Sequence, residues 1–280
     1  MIASQSSSPH VTTPSGLIGV VHLPPMPGDP MHPAMQSFQR VERHAMADAD
    51  ALVAGGVDGL ILENFGSAPF PTGSAGDRTP PHQVACLAML ARLCRDRFDV
   101  PVGVNCLRND AYSAVGIAAA AELDFMRVNV HTGAMITDQG LIQGEAHHTL
   151  RYRRALGAKV SILADVLVKH AQPLTPLPPD QATSECLERA MADGVIVTGT
   201  GTGQPVDRKL LRQVSEAAGA APVFIGSGLD PRSAGKLCPL ADGAIVGTWL
   251  KRGGDVEEPV MVSRVRELVS AVRGRWRTRN

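Results

Sequence analysis

Side chains able to transfer protons recur along this chain, each close to the end of a short apolar run. Glu63 and Asp165 are carboxylates that can act as general base or acid, and we predict them as the catalytic pair. His22 and Lys169 are predicted to stabilise developing negative charge. Lys169 lies several residues beyond its apolar run, so we expect water to keep it protonated and a Schiff base to be disfavoured.

Amide, cationic and acidic side chains accompany these four residues. They suit a ligand rich in hydroxyl groups, because each donates or accepts several hydrogen bonds. The predicted substrate-binding residues are Asn64, Asn105, Arg108, Asn109, Asp110, Arg127, Asn129 and Thr198. For some of them, above all Arg127 with Asp165, the alternative is a structural ion pair. A divalent metal is a further alternative, but no H-x-H or H-E-x-x-H spacing supports it, so the sequence requires no cofactor.

Two glycine-bearing segments near the end of the chain predict an anion site. Glycine lets the backbone approach an anion closely, and convergent N–H groups can hold it. The predicted phosphate-binding residues are Gly226, Ser227, Gly228, Gly247 and Thr248. A short helix starting near Trp249 would add its positive end. The alternative is that these glycines only permit tight turns.

Apolar strands alternate with amphipathic helical segments from residue 17 onward, and these elements must position the polar side chains. The predicted strands span residues 17–22, 57–63, 100–105, 124–130, 159–166, 193–199, 222–228 and 242–248. Eight such units predict an α/β fold, a single (β/α)₈ TIM barrel with parallel strands. An open Rossmann-like sheet is the alternative, but the G-x-G-x-x-G fingerprint is missing after the first strand. Barrels bind ligands at the carboxyl ends of their strands, so the candidate residues are expected to meet at one rim.

The domain organisation follows from the same pattern. We assign residues 16–274 to the barrel, residues 1–15 to a disordered lead-in rich in Ser, Thr and Pro, and residues 275–280 to a basic, solvated tail. The glycine-rich loop at residues 198–205 lacks the G-K-[ST] ending of a nucleotide P-loop, which argues against an ATPase. The sequence leaves a homo-oligomer open.

Composition excludes several classes of partner. Lys plus Arg and Asp plus Glu both total 27, so no net charge draws the protein to nucleic acid. No apolar run reaches the roughly 18 residues of a membrane span. Five cysteines without a C-x-x-C pair indicate free thiols in a reducing, cytoplasmic compartment.

Several motifs resemble, in the same order, those of the BtpA/SgcQ family of barrel proteins. They include GLIGVVHLPPMPGDP, GVDGLILENFGSAPF, PVGVNCLRNDAYSA, LADVLVKHA and IGSG, within residues 16–254. The resemblance implies a (β/α)₈ barrel and singles out His22, Glu63, Asn64, Asn105, Arg108, Asn109, Asp110, Arg127, Asn129, Asp165, Lys169 and residues 226–228. Where relatives commonly carry Asp, this chain has Ser67.

Two functional hypotheses follow. The first is an enzyme of sugar or nucleotide metabolism that acts on a small phosphorylated ligand, with hydrolytic cleavage of a ribosyl C–N bond favoured over isomerase or lyase chemistry. The second is a non-catalytic assembly factor that uses the barrel as a scaffold, because the resemblance extends to photosystem I biogenesis factors peripheral to the thylakoid.

Overall fold

Eight parallel strands close into a barrel. The computed structural model describes residues 13–33, 37–168, 170–199, 201 and 203–278. The strands are β1 (Gly16–His22), β2 (Gly59–Glu63), β3 (Val102–Asn105), β4 (Phe125–Val128), β5 (Ser161–Val166), β6 (Gly194–Val197), β7 (Val223–Ile225) and β8 (Gly243–Val246). Each pairs with its neighbours along the chain, and β1 also pairs with β8, which closes the sheet. The predicted (β/α)₈ fold is confirmed.

Helices follow the strands and cover the outside of the barrel. They are α1 (Phe38–Gly55), α2 (Pro81–Arg97), α3 (Ala111–Ala121), α4 (Ala146–Ala155), α5 (Pro179–Ser184), α6 (Arg208–Ala218), α7 (Ala234–Leu237) and α8 (Val262–Val272). Local chemistry sets several of their ends. The Asp207 carboxylate accepts from the Leu210 amide (2.7 Å) and caps α6, while Gly56 ends α1 in the left-handed region, at φ 95°.

Apolar side chains fill the barrel interior below the mouth. This inner cluster comprises Ile18, Val20, Ile61, Phe125, Leu163, Ile196, Phe224 and Ile245. The two phenyl rings need room, and glycines on the neighbouring strands provide it. A Cβ at Gly103 would lie 2.4 Å from the Phe125 ring, and one at Gly243 would lie 2.7 Å from the Phe224 ring. The barrel interior is therefore a packed core and leaves no channel along the barrel axis.

A small antiparallel sheet interrupts the regular pattern. Its strands span 134–137, 140–143 and 171–173, after β4 and after β5. We call residues 134–143 the hairpin. One face packs Met135 and Ile142 against Val130 and Val168. Sequence analysis predicted no strands here.

The C-terminal segment corrects the solvated tail that we expected. Arg277 donates to Asp242 Oδ2 (2.7 Å) and to the Ala221 carbonyl (2.9 Å), and its own amide donates to the Ala241 carbonyl (2.8 Å). Trp276 packs against the core. Residues 275–278 therefore dock beneath β8, because carbonyls and a carboxylate at that end of the barrel need donors.

We expect Arg277→Ala to lower the free energy of unfolding by about 1.5–3 kcal/mol, the range for hydrogen bonds to charged groups. Urea denaturation followed by circular dichroism measures this loss. The control is Arg273→Ala, since Arg273 is exposed. Equal stability of the two variants would show that the docked tail contributes nothing.

The remaining global features concern membranes and thiols. No helix in the described ranges is long and apolar enough to cross a membrane. All five cysteines are free. Burial raises the pKa of the Cys94 and Cys238 thiols to about 12.

Candidate functional site

Three adjacent strand ends bring a carboxylate, an amide and an imidazole together. His22, Glu63 and Asn105 lie in register at the ends of β1, β2 and β3. Asn105 Nδ2 donates to Glu63 Oε2 at 2.7 Å, and His22 Nε2 lies 3.9 Å from Glu63 Oε1. Phe65 packs its ring against the imidazole, with centroids 5.0 Å apart. These contacts fix the orientation of the Glu63 carboxylate at the mouth.

Asp165 and Arg127 form the ion pair that the sequence left as an alternative. Arg127 Nε and one terminal nitrogen donate to the two oxygens of Asp165, both at 2.8 Å, and each residue is 4% exposed. Burial lowers the pKa of the Arg127 guanidinium, but the charge and hydrogen bonds of Asp165 outweigh it and raise that pKa. Because both carboxylate oxygens bind the guanidinium, Asp165 is suited to holding Arg127 in place.

Two of the predicted substrate-binding asparagines hold backbone segments. Asn64 Oδ1 accepts from the Leu107 amide (2.7 Å), and its Nδ2 donates to the Leu107 carbonyl (3.2 Å). Asn109 forms the same pair of bonds with Val130, at 2.7 and 2.9 Å. Each side chain therefore fixes the exit of the next strand. The structure places both as positioning residues, with their amides occupied by main chain.

Asp110 and Ser67 also hold the framework. Asp110 Oδ1 caps α3 by accepting from the Ser113 amide (2.9 Å), and Oδ2 accepts from the Thr79 amide (2.7 Å). Ser67 donates its hydroxyl to Asp29 Oδ2 at 2.7 Å in a buried position. An aspartate in place of Ser67 would set a second carboxylate against Asp29, so the hydroxyl suits this partner.

Arg108, Asn129 and Thr198 are buried at the rim. Burial lowers the pKa of the Arg108 guanidinium, and nearby carboxylates, Asp165 first, oppose this change. The amide oxygens of Asn105 and Asn129 are buried and have no hydrogen-bond partner among the described residues. Such oxygens are costly unless a ligand or water donates to them. Lys169 lies outside the residues that the structure describes.

One cavity of about 340 Å³ joins the acid–base residues to the predicted phosphate site. Its wall includes His22, Glu63 and Arg127, and it also includes Gly226, Ser227, Gly228, Gly247 and Thr248. The Gly226 amide donates to the Val197 carbonyl (2.8 Å), which corrects our expectation that it is available to an anion. The amides of the other four residues have no acceptor in the described parts of the chain.

The side chain of Ser227 holds a neighbouring loop. Its hydroxyl accepts from the Gly199 amide (2.8 Å) and donates to the Gln204 carbonyl (2.9 Å). Gly228 has φ 66°, and a Cβ there would lie 2.3 Å from the Gln204 carbonyl oxygen. The loop after β6 thus packs on the loop after β7, and only the main chain of Ser227 is left for an anion.

The segment after β8 is anchored from outside the barrel. Lys251 is fully buried, and its Nζ lies 2.7 Å from Asp48 Oδ2 on α1. Arg264 donates to the Trp249 carbonyl (2.6 Å) and stacks on the indole ring. These contacts fix the turn at residues 247–251, with a 3₁₀ helix at Thr248–Leu250 where a short helix was predicted.

Comparison with known proteins assigns the chain to a family. Residues 13–274 match the model of the BtpA family. The chain belongs to the BtpA family. The photosystem I biogenesis protein BtpA of Synechocystis is 45% identical over 260 residues, 93% of this chain and 88% of that protein. The protein TK2179 of Thermococcus kodakarensis is 43% identical over 253 residues, 90% of this chain and 93% of its own length.

Solved structures resemble this BtpA-family barrel in fold alone. Phosphoribosyl anthranilate isomerase of Thermus thermophilus superposes with a TM-score of 0.53 at 12% identity, covering 91% of this chain and 98% of that one. KGPDC of Streptococcus mutans gives 0.54 at 13% identity, covering 94% and 100%.

Sequence reasoning missed several residues at the mouth of this BtpA-family barrel. Phe65 and Phe70 on the loop after β2, and Asp138 and Gln139 at the tip of the hairpin, line a second cavity beside Glu63. Arg232 lines the first cavity with its side chain largely exposed. The long loop at residues 63–81 was the one available signal, since loops of that length often cover sites. No group of three or more potential metal ligands occurs in the part of the chain described.

Proposed function

We propose that this protein is an enzyme that acts on a small phosphorylated sugar or nucleotide at the carboxyl end of the barrel. One observation carries the proposal: Glu63 lines the same cavity as Ser227, Gly228, Gly247 and Thr248, whose amides have no acceptor among the described residues. A dianion held at those residues would place the rest of the ligand against Glu63, whose carboxylate lies beside the Asn105 amide and the His22 imidazole. The absence of a P-loop ending at residues 198–205 keeps ATP hydrolysis out of the proposal.

The roles of the side chains follow from their contacts. Glu63 is the general acid–base, since Asn105 fixes its orientation at 2.7 Å. Arg127, locked by Asp165, supplies a fixed positive charge at the cavity wall. His22 lies against Gly247, where an added Cβ would come within 2.2 Å of its ring. The imidazole thereby links the proton-transfer group to the anion-binding turn.

Cleavage of a ribosyl C–N bond by water is the reaction that Glu63, Arg127 and His22 favour. Glu63 takes a proton from water as the oxygen bonds to the sugar carbon and the C–N bond breaks. The departing ring nitrogen keeps the bonding electrons and receives the proton that Glu63 gives up, which restores the carboxylate. Strand β6 (Gly194–Val197) carries no lysine for a Schiff base. A distant barrel relative named for a phosphoribosyl substrate supports the ligand class.

The proposed anion site is tested by a substitution that places a negative charge in it. We expect Thr248→Asp to weaken binding of ribose 5-phosphate more than about tenfold, because like charges about 4 Å apart repel by several kcal/mol near a protein surface. Thr248→Asn introduces a side chain of the same shape as Asp but without its charge, so its affinity for ribose 5-phosphate should stay within a few-fold of the parent's. Isothermal titration calorimetry measures both. Equal affinities for the two variants would remove the phosphate site from the proposal.

A scaffold role is the second candidate, favoured by the 45% identity to a biogenesis protein. Ile136 and Leu141 pair across the hairpin on its solvent side and are 47% and 45% exposed. This apolar pair would suit a protein partner. Thermal stabilisation by sugar phosphates supports the enzyme, whereas no response together with a stable partner in pull-down supports the scaffold.

A further inference from the structure

A second cavity, of about 490 Å³, opens beside the first and shares two of its wall residues, Glu63 and Arg127. Its other walls come from the segments that follow β2, β3, β4 and β5, and from the hairpin tip. Those residues include Phe65, Phe70, Arg108, Asn129, Asp138 and Gln139. The anion-binding turns at residues 226–228 and 247–248 do not border this space, so its ligand chemistry differs from that of the first cavity.

The two phenyl rings give this cavity apolar, flat surfaces. Phe65 and Phe70 are each half-buried, so part of each ring stays open to a ligand. Phe65 is fixed by its edge contact with His22, at a centroid distance of 5.0 Å. Planar rings with a π-face stack on such side chains.

Two residues that line this cavity carry buried oxygens that lack hydrogen-bond donors among the described residues. Asn129 is 2% exposed, and its Oδ1 has no partner among the described residues. Gln139 Oε1 is likewise buried without a partner, while its amide nitrogen donates to Asp138. Arg108, whose guanidinium carries five N–H groups, lies in the same wall. A ring carrying both N–H groups and carbonyl or ring-nitrogen acceptors matches this set.

We infer that this second cavity binds the planar, hydrogen-bonding ring of a nucleoside monophosphate while the first holds its phosphate. The inference rests on the proposed function and narrows its substrate class. In a nucleoside monophosphate the sugar carries the phosphate and the planar ring on different carbons. A ligand that spans both cavities therefore has its sugar at the place where the cavities meet. Glu63 lines both walls at that place, which brings its carboxylate to the sugar–ring bond.

The experiment compares ligands that contain the ring, the phosphate or both. Ribose 5-phosphate, the four common ribonucleoside 5′-monophosphates and the matching nucleosides are titrated by calorimetry into the parent protein. The same titrations in Glu63→Gln prevent turnover of a probe. We expect at least one monophosphate to bind about tenfold more tightly than ribose 5-phosphate, the scale of one base–aromatic stack.

Substitutions test which residues cause the tighter binding of the monophosphate. Phe70→Ala should remove most of the tenfold difference and leave ribose 5-phosphate affinity within twofold, and Asn129→Leu should do the same. Phe70→Leu is the matched control for packing, since it keeps an apolar side chain and loses only the ring. Thermal melts of each variant establish that it is folded.

The outcomes separate the two proposals. The inference would be overturned if ribose 5-phosphate bound as tightly as every monophosphate, or if Phe70→Ala weakened the binding of all probes equally. Either result would leave the proposed function standing. Nucleoside binding that depends on Phe70, with no added affinity from phosphate, would keep the ring cavity and overturn the phosphate site. No binding by any probe would overturn both.

Discussion

Glu63→Gln is expected to lower turnover of a bound phosphorylated substrate by at least about 10²-fold, the contribution of a positioned general acid–base. The amide keeps the shape of the side chain and can still accept from Asn105 Nδ2, which now donates to Glu63 Oε2 at 2.7 Å. Substrate affinity should therefore stay within a few-fold, so that the loss falls on kcat. The measurement is chromatographic release of the free ring from the monophosphate that binds best.

The control for this change is Glu267→Gln, which removes one negative charge from an exposed position on α8. It should keep full turnover. If Glu63→Gln retained parent-like kcat, the acid–base role would pass to another group, and Asp165 would be the first to examine.

Arg127→Met is expected to lower the free energy of unfolding by about 3–5 kcal/mol, the cost of leaving one charge of a buried pair without its partner. Asp165 is 4% exposed, and both of its oxygens bind the guanidinium at 2.8 Å. Arg127→Met with Asp165→Leu should recover much of the loss, since no buried charge is then left unpaired. Urea denaturation measures the free energy of each variant.

The same variants separate a structural role for Asp165 from a catalytic one. If the ion pair only positions Arg127, Asp165→Asn should act mainly on stability and on ligand affinity. A kcat loss of about 10²-fold in a folded Asp165→Asn variant would support the predicted acid–base pair instead. A double variant no more stable than Arg127→Met would contradict the account of the pair.

Much of the fold could be predicted because each barrel strand is an apolar run between helices. The strand ends were less predictable. We predicted a strand at 222–228, but β7 ends at Ile225 and the chain then turns through residues 226–228, which line the first cavity. The hairpin was missed since its strands are four residues long and depend on packing against Val130 and Val168 for their stability.

The site was predictable in its location and less so in its roles. Strand-end residues meet at one rim in any such barrel, so Glu63 and Asn105 could be expected at the same mouth. Asn64 looked equally suited to a ligand, yet its partner is a backbone 43 residues away, which no local pattern shows. Phe65 and Phe70 lie in a proline-containing loop, where neither strand nor helix periodicity indicates the direction of a side chain.

The most direct test is an amide ¹H–¹⁵N titration with ribose 5-phosphate. A sugar phosphate that binds at the mouth should shift the signals of Ser227, Gly228, Gly247 and Thr248 in a saturable way. The Gly226 amide, already bonded to the Val197 carbonyl at 2.8 Å, should move less. Saturable binding that leaves those four amides unmoved, or no binding at all, would contradict the claim that this barrel holds a phosphate beside Glu63.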